Sequence, residues 1–520
     1  MIVRTIISLC LCVYAFWLTM RHNMHMFQLN GYKNDEQLHW IRKNLRQQWL
    51  LGYGMLLSLF RFFLPMIALD ILIYISLLLI ILVYRALHRL KSKKKLVYTA
   101  RVKRMMATII IISFLTLALV FIYMPVEYMT PMFLMLVSAQ WFMNILANIV
   151  NHPIEAAISC YYINDAKKRL KDRSDLKIIG ITGSYGKTSV KYYLQTLLQN
   201  KYEVLVTPGN FNTPLGVTRT IREHLKATDQ IFICEMGARH VGDIREICDI
   251  VHPDYGVITS IGPQHLETFF NIDNIQSTKF ELAQSLPENG MIFLNGDNDY
   301  IQKEAKKYSN KCFYYSEKSG EGYCAKDVKV SQLGTEFTVV TPTGETETFR
   351  MHLIGSHNVI NVVGAIAVAN HLGISLRELK IPVRRIEAVE HRMQMKEHGQ
   401  ITIIDDAYNS NPIGSKAAVE TLKMFDGSRI LITPGMVELG EKEENYNYMF
   451  GQYAADCCDY ILLVGRNRTK PILEGALSNG FPENKCFVYD KLEDAVSFAY
   501  ALHSEKHKYI LLENDLPDNY

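Results

Sequence analysis

Acidic residues are scarce at one end of this sequence. Its first 150 residues hold four Asp or Glu against sixteen Lys or Arg, a balance of +12, whereas the remaining 370 hold 48 against 40, a balance of −8. The basic residues of the front stand among apolar runs rather than on a soluble face. That excludes a nucleic-acid-binding arm and points to a membrane anchor joined to a soluble body. The ten cysteines form no C-x-x-C pair, which excludes a zinc ribbon or disulfide framework and suits the reduced thiols of a cytoplasmic protein. Internal repeats and low-complexity linkers are lacking too. Charged residues, 21% against 49% hydrophobic, are too few for a disordered chain.

What is present begins with apolar runs. A hydrocarbon core of about 30 Å needs about 20 helical residues, and segments 2–20, 64–84, 105–124 and 131–150 meet that length. No small-residue cleavage site follows 2–20, so it reads as an uncleaved anchor. Residues 49–63 are apolar but short and carry Arg61; they read as an interfacial helix or as one arm of a hairpin turning at Pro65, leaving four or five spans. Arg85, Arg89, Lys91, Lys93, Lys94, Lys95, Arg101, Lys103 and Arg104 stand between the second and third clear spans, whereas the loop near 125–130 has Glu127 and no basic residue. The positive excess puts the first loop, and everything after Asn151, in the cytoplasm. Contact with anionic lipid is compatible with the same cluster. Asp70 costs about 2.5–3.5 kcal/mol if it lies near mid-bilayer; it lines a polar cavity or sits near an interface.

From Leu176 short β-rich runs alternate with helical stretches. Segments 177–182, 203–207, 230–235, 255–261 and 291–295 read as buried strands, with helices over 187–200, 242–251 and 272–286. That alternation predicts a parallel sheet with crossover helices. Residues 310–350 look like an antiparallel hairpin insertion around Pro342, Thr343 and Gly344. A second series, 401–405, 429–433, 460–464, 486–489 and 509–512, predicts a smaller α/β domain, with the boundary near 384–399. The expected organisation is a transmembrane region over 1–150, a connecting segment over 151–175, a central domain over 176–390 and a C-terminal α/β domain over 391–520.

Gly180-Ile181-Thr182-Gly183-Ser184-Tyr185-Gly186-Lys187-Thr188-Ser189 follows a strand and opens a helix. Glycines there let backbone N–H groups turn inward around phosphate oxygens at a helix N-terminus. Lys187 would reach the β- and γ-phosphates and the Thr188 hydroxyl a Mg²⁺ ion. The spacing departs from the strict phosphate-loop form at Ile181. Glu235 and His265 follow later strands, where open α/β sheets gather ligands; a carboxylate and an imidazole there suit a divalent metal bridging ATP to an acceptor. Taken alone, His265 reads as a loop or capping residue and Lys279 as a solvated helix lysine.

Together with Gly209-Asn210-Phe211-Asn212, Glu235-Met236-Gly237-Ala238, His265-Leu266-Glu267, Lys279, Gly355-Ser356-His357-Asn358 with Asn361, His391-Arg392, Asp405-Asp406-Ala407-Tyr408-Asn409-Ser410-Asn411-Pro412 and Gly435-Met436-Val437-Glu438-Leu439-Gly440, this loop resembles the Mur ligases, and within them the branch that adds D-alanyl-D-alanine. The resemblance implies ATP-dependent, ADP-forming amide ligation through an acyl phosphate, on a peptidoglycan precursor, with an amino acid or dipeptide as amine donor. It implies that Thr182, Gly183, Ser184, Gly186, Lys187, Thr188 and Ser189 hold the phosphates and that Thr188 and Glu235 hold one Mg²⁺. His265 would hold a second metal, beside a Lys279 carbamylated by CO₂. Asn358 would contact adenine, and Arg392 and Asp406 would close on the γ-phosphate and ribose. Lys187, His265, Lys279 and Arg392 are then the catalytic set.

Two departures bear on the substrate. Apolar helices replace the family's uridine-nucleotide-binding domain, and the family's basic ending of the last strand is here Glu513-Asn514-Asp515-Leu516-Pro517-Asp518-Asn519-Tyr520. The expectation is a multi-pass protein of a bacterial cell membrane with cytoplasmic ligase domains and a UDP-linked or lipid-linked acceptor. The alternatives are the same chemistry on another wall polymer or poly-amino acid, and a non-catalytic ATP-binding membrane scaffold.

Overall fold

The computed structural model describes residues 2–64, 67–89, 95–408 and 410–515, and the chain divides into two compact units, one reaching Cys160 and one starting at Tyr161. Pro65, Lys91, Lys93, Lys94, Asn409 and the final residues from Leu516, on which several expectations fall, lie outside the described residues.

The first unit is helical: α1 (Ile2–Leu29), α2 (Asn34–Lys43), α3 (Leu45–Phe63), α4 (Ile67–Arg89), α5 (Ala100–Tyr123), α6 (Met129–Ser138) and α7 (Gln140–Lys171), the last continuing into the second unit. Among the described residues two helices, Ala68–Leu87 and Ala100–Tyr123, are long and apolar enough to cross a membrane. Their outward faces are apolar, with Leu78, Leu82, Ile111, Phe114 and Phe121 exposed. The expected span over 131–150 is not one helix. α6 and α7 meet at 73°, because Ala139 leaves helical geometry and two side chains take over carbonyls freed at the break: Gln140 Nε2 donates to Leu136 at 3.1 Å and Trp141 Nε1 to Ser138 at 2.9 Å. Asp70, in the first turn of α4, is neutralised by Arg61 of α3 at 2.8 Å, and Arg61 is itself buried. A buried charge is tolerated where a partner satisfies it.

The second unit holds two sheets. The larger has nine strands in the order β2-β3-β1-β4-β5-β6-β7-β8-β9: β1 (Lys177–Thr182), β2 (Val204–Val206), β3 (Ile231–Glu235), β4 (Tyr255–Ile258), β5 (Met291–Asn295), β6 (Cys312–Ser316), β7 (Tyr323–Ser331), β8 (Gly334–Val340) and β9 (Thr346–Met351). Strands β1 to β7 pair in parallel and β7, β8 and β9 antiparallel. The β-rich segment expected as an insertion therefore prolongs one edge of the main sheet. β1 is buried from Ile178 to Thr182, as a strand covered on both faces must be. The chain leaves β1 to one side for β2 and returns past it for β4, so the sheet reverses direction beside β1. Ligands of open α/β sheets bind at that reversal, beyond the strand C-termini.

The smaller sheet runs β10-β11-β15-β12-β13-β14: β10 (Gln394–His398), β11 (Ile401–Asp406), β12 (Ser428–Thr433), β13 (Tyr460–Val464), β14 (Cys486–Tyr489) and β15 (Lys508–Glu513). All neighbours are parallel except β10 with β11. β10 falls where only a domain boundary was expected, because its sequence, Gln-Met-Lys-Glu-His, carries no apolar alternation. As an antiparallel edge strand it needs none on its open side.

Candidate active site

The loop after β1 is shaped by two glycines. At Gly183 (φ 150°) a β-carbon would collide with the Thr259 hydroxyl, and at Gly186 (φ 82°) it would lie 2.8 Å from Asn361. The segment after β4 buttresses this turn: Ser184 N donates to the Ser260 carbonyl at 2.7 Å and Tyr185 N to the Ser260 hydroxyl at 2.9 Å. Two residues expected on phosphate have buried hydroxyls committed elsewhere, Thr182 to the Met236 carbonyl at 3.0 Å and Ser184 to that of Gly262 at 3.1 Å. Their side chains hold the loop. Ser189 is likewise buried, in the first turn of the helix Lys187–Leu198.

Lys187 opens that helix and folds back on the loop, its Nζ donating to the Gly183 carbonyl at 2.7 Å and that of Ser184 at 3.3 Å. Desolvation in the cleft lowers its pKa to about 8, against the pull of Glu235 and with the help of Arg392. Thr188 donates to Glu235 Oε1 at 3.1 Å, so the hydroxyl and the carboxylate from the end of β3 are adjacent.

Glu235 is buried, which by itself raises a carboxyl pKa, but Lys191 and Lys187 reverse the shift and hold it ionised. Lys191 is the stronger of the two, fully buried with its Nζ 3.0 Å from Glu235 Oε2. It also donates to the carbonyls of Thr207 at 2.8 Å and Gly209 at 2.7 Å, and Asn212 Nδ2 reaches Glu235 Oε1 at 3.0 Å. Sequence reasoning missed Lys191 and Asn212 as site residues. The available signal was spacing: Lys191 lies four residues after Lys187, on the same helix face.

Lys279, on the helix Ile272–Ser285, is 2% exposed and has its pKa lowered to about 7 by burial and then by Lys187, with Asp243 and Glu281 opposing. Far from being solvated, it is about half neutral near pH 7, and the neutral form is the nucleophilic form of an amine. His265 (φ 51°) has a pKa lowered by burial against the pull of Glu438, whose carboxylate bonds its Nδ1. Lys187 is close enough to perturb both His265 and Lys279, so the structure gathers Lys187, Thr188, Glu235, His265 and Lys279 at the ends of β1, β3 and β4 and on the helix Ile272–Ser285.

A cavity of about 690 Å³ adjoins this cluster, lined by Thr188, Tyr192, Tyr193, Asn210, Arg392 and Tyr408 among others. Arg392 lies over the Tyr408 ring at 4.4 Å and its charge is felt by Lys187 and Asp406. Asp406 accepts from Met393 N at 3.1 Å and has a raised pKa, through burial first. Asn358 is not among the lining residues; its amide is spent on the Ile354 carbonyl at 2.8 Å and the Tyr193 hydroxyl at 2.9 Å. The unusual chain ending contributes here too. Glu513 is fully buried, bonded by the Ser410 hydroxyl at 2.7 Å, and its pKa is raised well above the carboxyl range by burial and by Asp406.

Residues 181–369 match the model of the Mur ligase middle domain and residues 391–513 that of the Mur ligase, glutamate ligase domain. The UDP-N-acetylmuramoyl-tripeptide--D-alanyl-D-alanine ligase of Escherichia coli (strain K12) is 30% identical over 333 residues, covering 62% of this chain and 73% of the relative. The chain belongs to the Mur ligase family. It is thereby a member of the ATP-dependent, ADP-forming amide ligases. The ligase of the same name from Haemophilus influenzae is 31% identical over 296 residues, 56% of this chain and 64% of that one, so the match falls short of two thirds of this relative's length. MurF from Acinetobacter baumannii superposes with a TM-score of 0.63 at 25% identity, over 70% of this chain and 78% of the other.

As a Mur ligase the chain is expected to use Mg²⁺, and its residues fit that ion. Thr188 and Glu235 set hard oxygens side by side, the donor type Mg²⁺ prefers, and Lys191 beside Glu235 Oε2 helps to keep that carboxylate ionised. Neutral His265 has the protonation state of a metal ligand. Among the described residues no group of three or more His, Cys, Asp or Glu forms a cage.

The lowered pKa of Lys279 has a consequence for stability. Its unfolded value lies near 10.5 and its folded value near 7, so between those values the folded chain must keep neutral a lysine that the unfolded chain would protonate. The penalty grows as pH falls through that window and is complete below it. Lys279→Met is expected to raise Tm at pH 7, by an increment that shrinks at pH 9.5, while abolishing turnover; thermal unfolding at the two pH values checks it.

Proposed function

We propose that this Mur ligase joins an amine, D-alanyl-D-alanine by analogy with its relatives, to the terminal carboxylate of a peptidoglycan precursor at the cytoplasmic face of a bacterial membrane. The observation that carries the reading is the convergence of Lys187, Thr188, Glu235, His265 and Lys279 beside a cavity of about 690 Å³. That volume suits a nucleotide.

In this reading the acceptor carboxylate attacks the γ-phosphorus of ATP, ADP departs, and an acyl phosphate forms. The amine then attacks the acyl carbon; the tetrahedral intermediate collapses, inorganic phosphate leaves, and the amine proton passes to solvent or a nearby base. The protein's task is to bring several anions together and neutralise them. Lys187 neutralises the β- and γ-phosphates, and backbone N–H groups of Gly183 and Gly186 bind their oxygens. Arg392 approaches the γ-phosphate from the C-terminal domain, with Asp406 towards the ribose. Mg²⁺, held by Thr188 and Glu235 and a second time by His265, would supply charge neutralisation. Lys279, neutral enough to take up CO₂, would carry a carbamate towards the second ion.

The helical unit is proposed to anchor the enzyme as a multi-pass membrane protein and to favour a lipid-linked acceptor. Its support is the basic cluster before α5 and the exposed apolar faces of α4 and α5. The test supplies purified full-length protein in nanodiscs with ATP, Mg²⁺, D-alanyl-D-alanine and either the UDP-linked or the lipid-linked precursor, and follows phosphate release. Turnover at least tenfold faster on the lipid-linked form is expected. Equal turnover would remove the docking role of the helices and leave the ligase, and ATP consumption with neither would overturn the acceptor assignment.

A further inference from the structure

The motif Gly435-Met436-Val437-Glu438-Leu439-Gly440 follows β12 in the C-terminal domain, and its glutamate reaches across to the central domain. Glu438 (φ 63°) and His265 (φ 51°) both hold left-handed backbone conformations, which are strained for non-glycine residues and persist only where surroundings enforce them. Glu438 is tied to the central domain by three contacts, one of them to His265 itself. The Glu438 carboxylate bonds His265 Nδ1, its Oε1 lies 3.6 Å from Arg239 Nη2, and its backbone carbonyl accepts Leu266 N–H at 3.2 Å. An ionised carboxylate only accepts hydrogen bonds, so His265 must carry its proton on Nδ1 and turn a bare Nε2 lone pair outward.

We propose that Glu438 is a positioning residue lent by the C-terminal domain to the central-domain site: it fixes the tautomer and ring plane of His265, so the imidazole is aimed for work only while the two domains are together. The inference rests on the ligase reading above. It makes domain closure a condition of catalysis through a side chain that need not touch substrate. Arg239 sets a second cation 3.6 Å from the same carboxylate. A carboxylate behind a working histidine has effects of this kind where it has been removed, about 10–100-fold in affinity or rate.

The test uses the full-length chain in nanodiscs with Glu438→Ala and Glu438→Gln. The alanine variant is expected to lose about 10–100-fold in kcat while KM for ATP stays within about twofold, since the nucleotide cavity does not include Glu438. Glutamine offers an amide oxygen to the same Nδ1–H and is expected to recover most of the loss. Hydrogen–deuterium exchange without any substrate is the second readout, and the peptide around 264–270 is expected to exchange at least threefold faster in the alanine variant. Equal kcat in wild type and alanine variant, equal damage from alanine and glutamine, or unchanged exchange would each overturn the proposal. If the wild-type chain consumes ATP with no acceptor at all, the failure falls on the ligase reading, and the exchange measurement alone decides the role of Glu438.

Discussion

Lys187→Ala is expected to cut acceptor-dependent ATP consumption by about 10²–10³-fold or more, the scale for removing one preorganised charge from a reacting centre. The lysine is the residue that the loop geometry singles out. Its ammonium already lies 2.7 Å from the Gly183 carbonyl at the mouth of the loop, so phosphate oxygens need only draw it a short way. With a pKa of about 8 it is mostly protonated at neutral pH, and a bound triphosphate raises that value further. Lys187→Arg is expected to rescue little, because a rigid planar fork cannot take the place of a compact ammonium among loop carbonyls. The fold should survive, since removing a desolvated charge does not destabilise it. Coupled-enzyme detection of ADP, with Tm as the folding control, checks both halves. Turnover within tenfold of wild type would mean that the loop does not grip the transferred phosphate.

Lys191→Met is expected to be the most destabilising single change in the ligase unit, about 3–5 kcal/mol, the cost of leaving a buried charge without its partner. Lys191 and Glu235 are 0% and 2% exposed with 3.0 Å between their charged atoms. Removing the ammonium also orphans the Thr207 and Gly209 carbonyls, whose unmet hydrogen bonds add to the loss. The double change Lys191→Met with Glu235→Gln is expected to restore much of the Tm, because no unpaired charge then remains, yet to restore no activity, because the carboxylate beside Thr188 is gone. Thermal unfolding of the single and double variants separates the two effects. A Tm for Lys191→Met within 2 °C of wild type would refute the pair's importance.

The phosphate loop was legible because its physics is local. Glycines, a preceding buried strand and a following helix lie within the 22 residues 177–198, and no distant contact is needed to read them. Lys279 was harder: on a helix its lysine suggests solvent, and only the packing of that helix beneath β1 and β4 buries it and lowers its pKa. Asn358 shows the reverse. Its motif pointed to the nucleotide, but a hydrogen bond from Tyr193, 165 positions away, claims its side chain. Thr182 and Ser184 likewise belong to the loop's scaffold, through partners 54 and 78 residues distant.

By itself the sequence determined the class of the chain: apolar helices before a phosphate-binding α/β body, the strand ladder, and the family to which it is similar. Hydrophobic periodicity, turn chemistry and short motifs are properties of neighbouring residues and survive being read in one dimension. Only the tertiary structure decided that α6 and α7 break apart at Ala139, that Asp70 is paired with Arg61, that Lys191 guards Glu235 and that Glu438 stands behind His265. Each is an interaction whose energy depends on what surrounds a polar group after burial, and a linear chain does not specify that until its segments have packed.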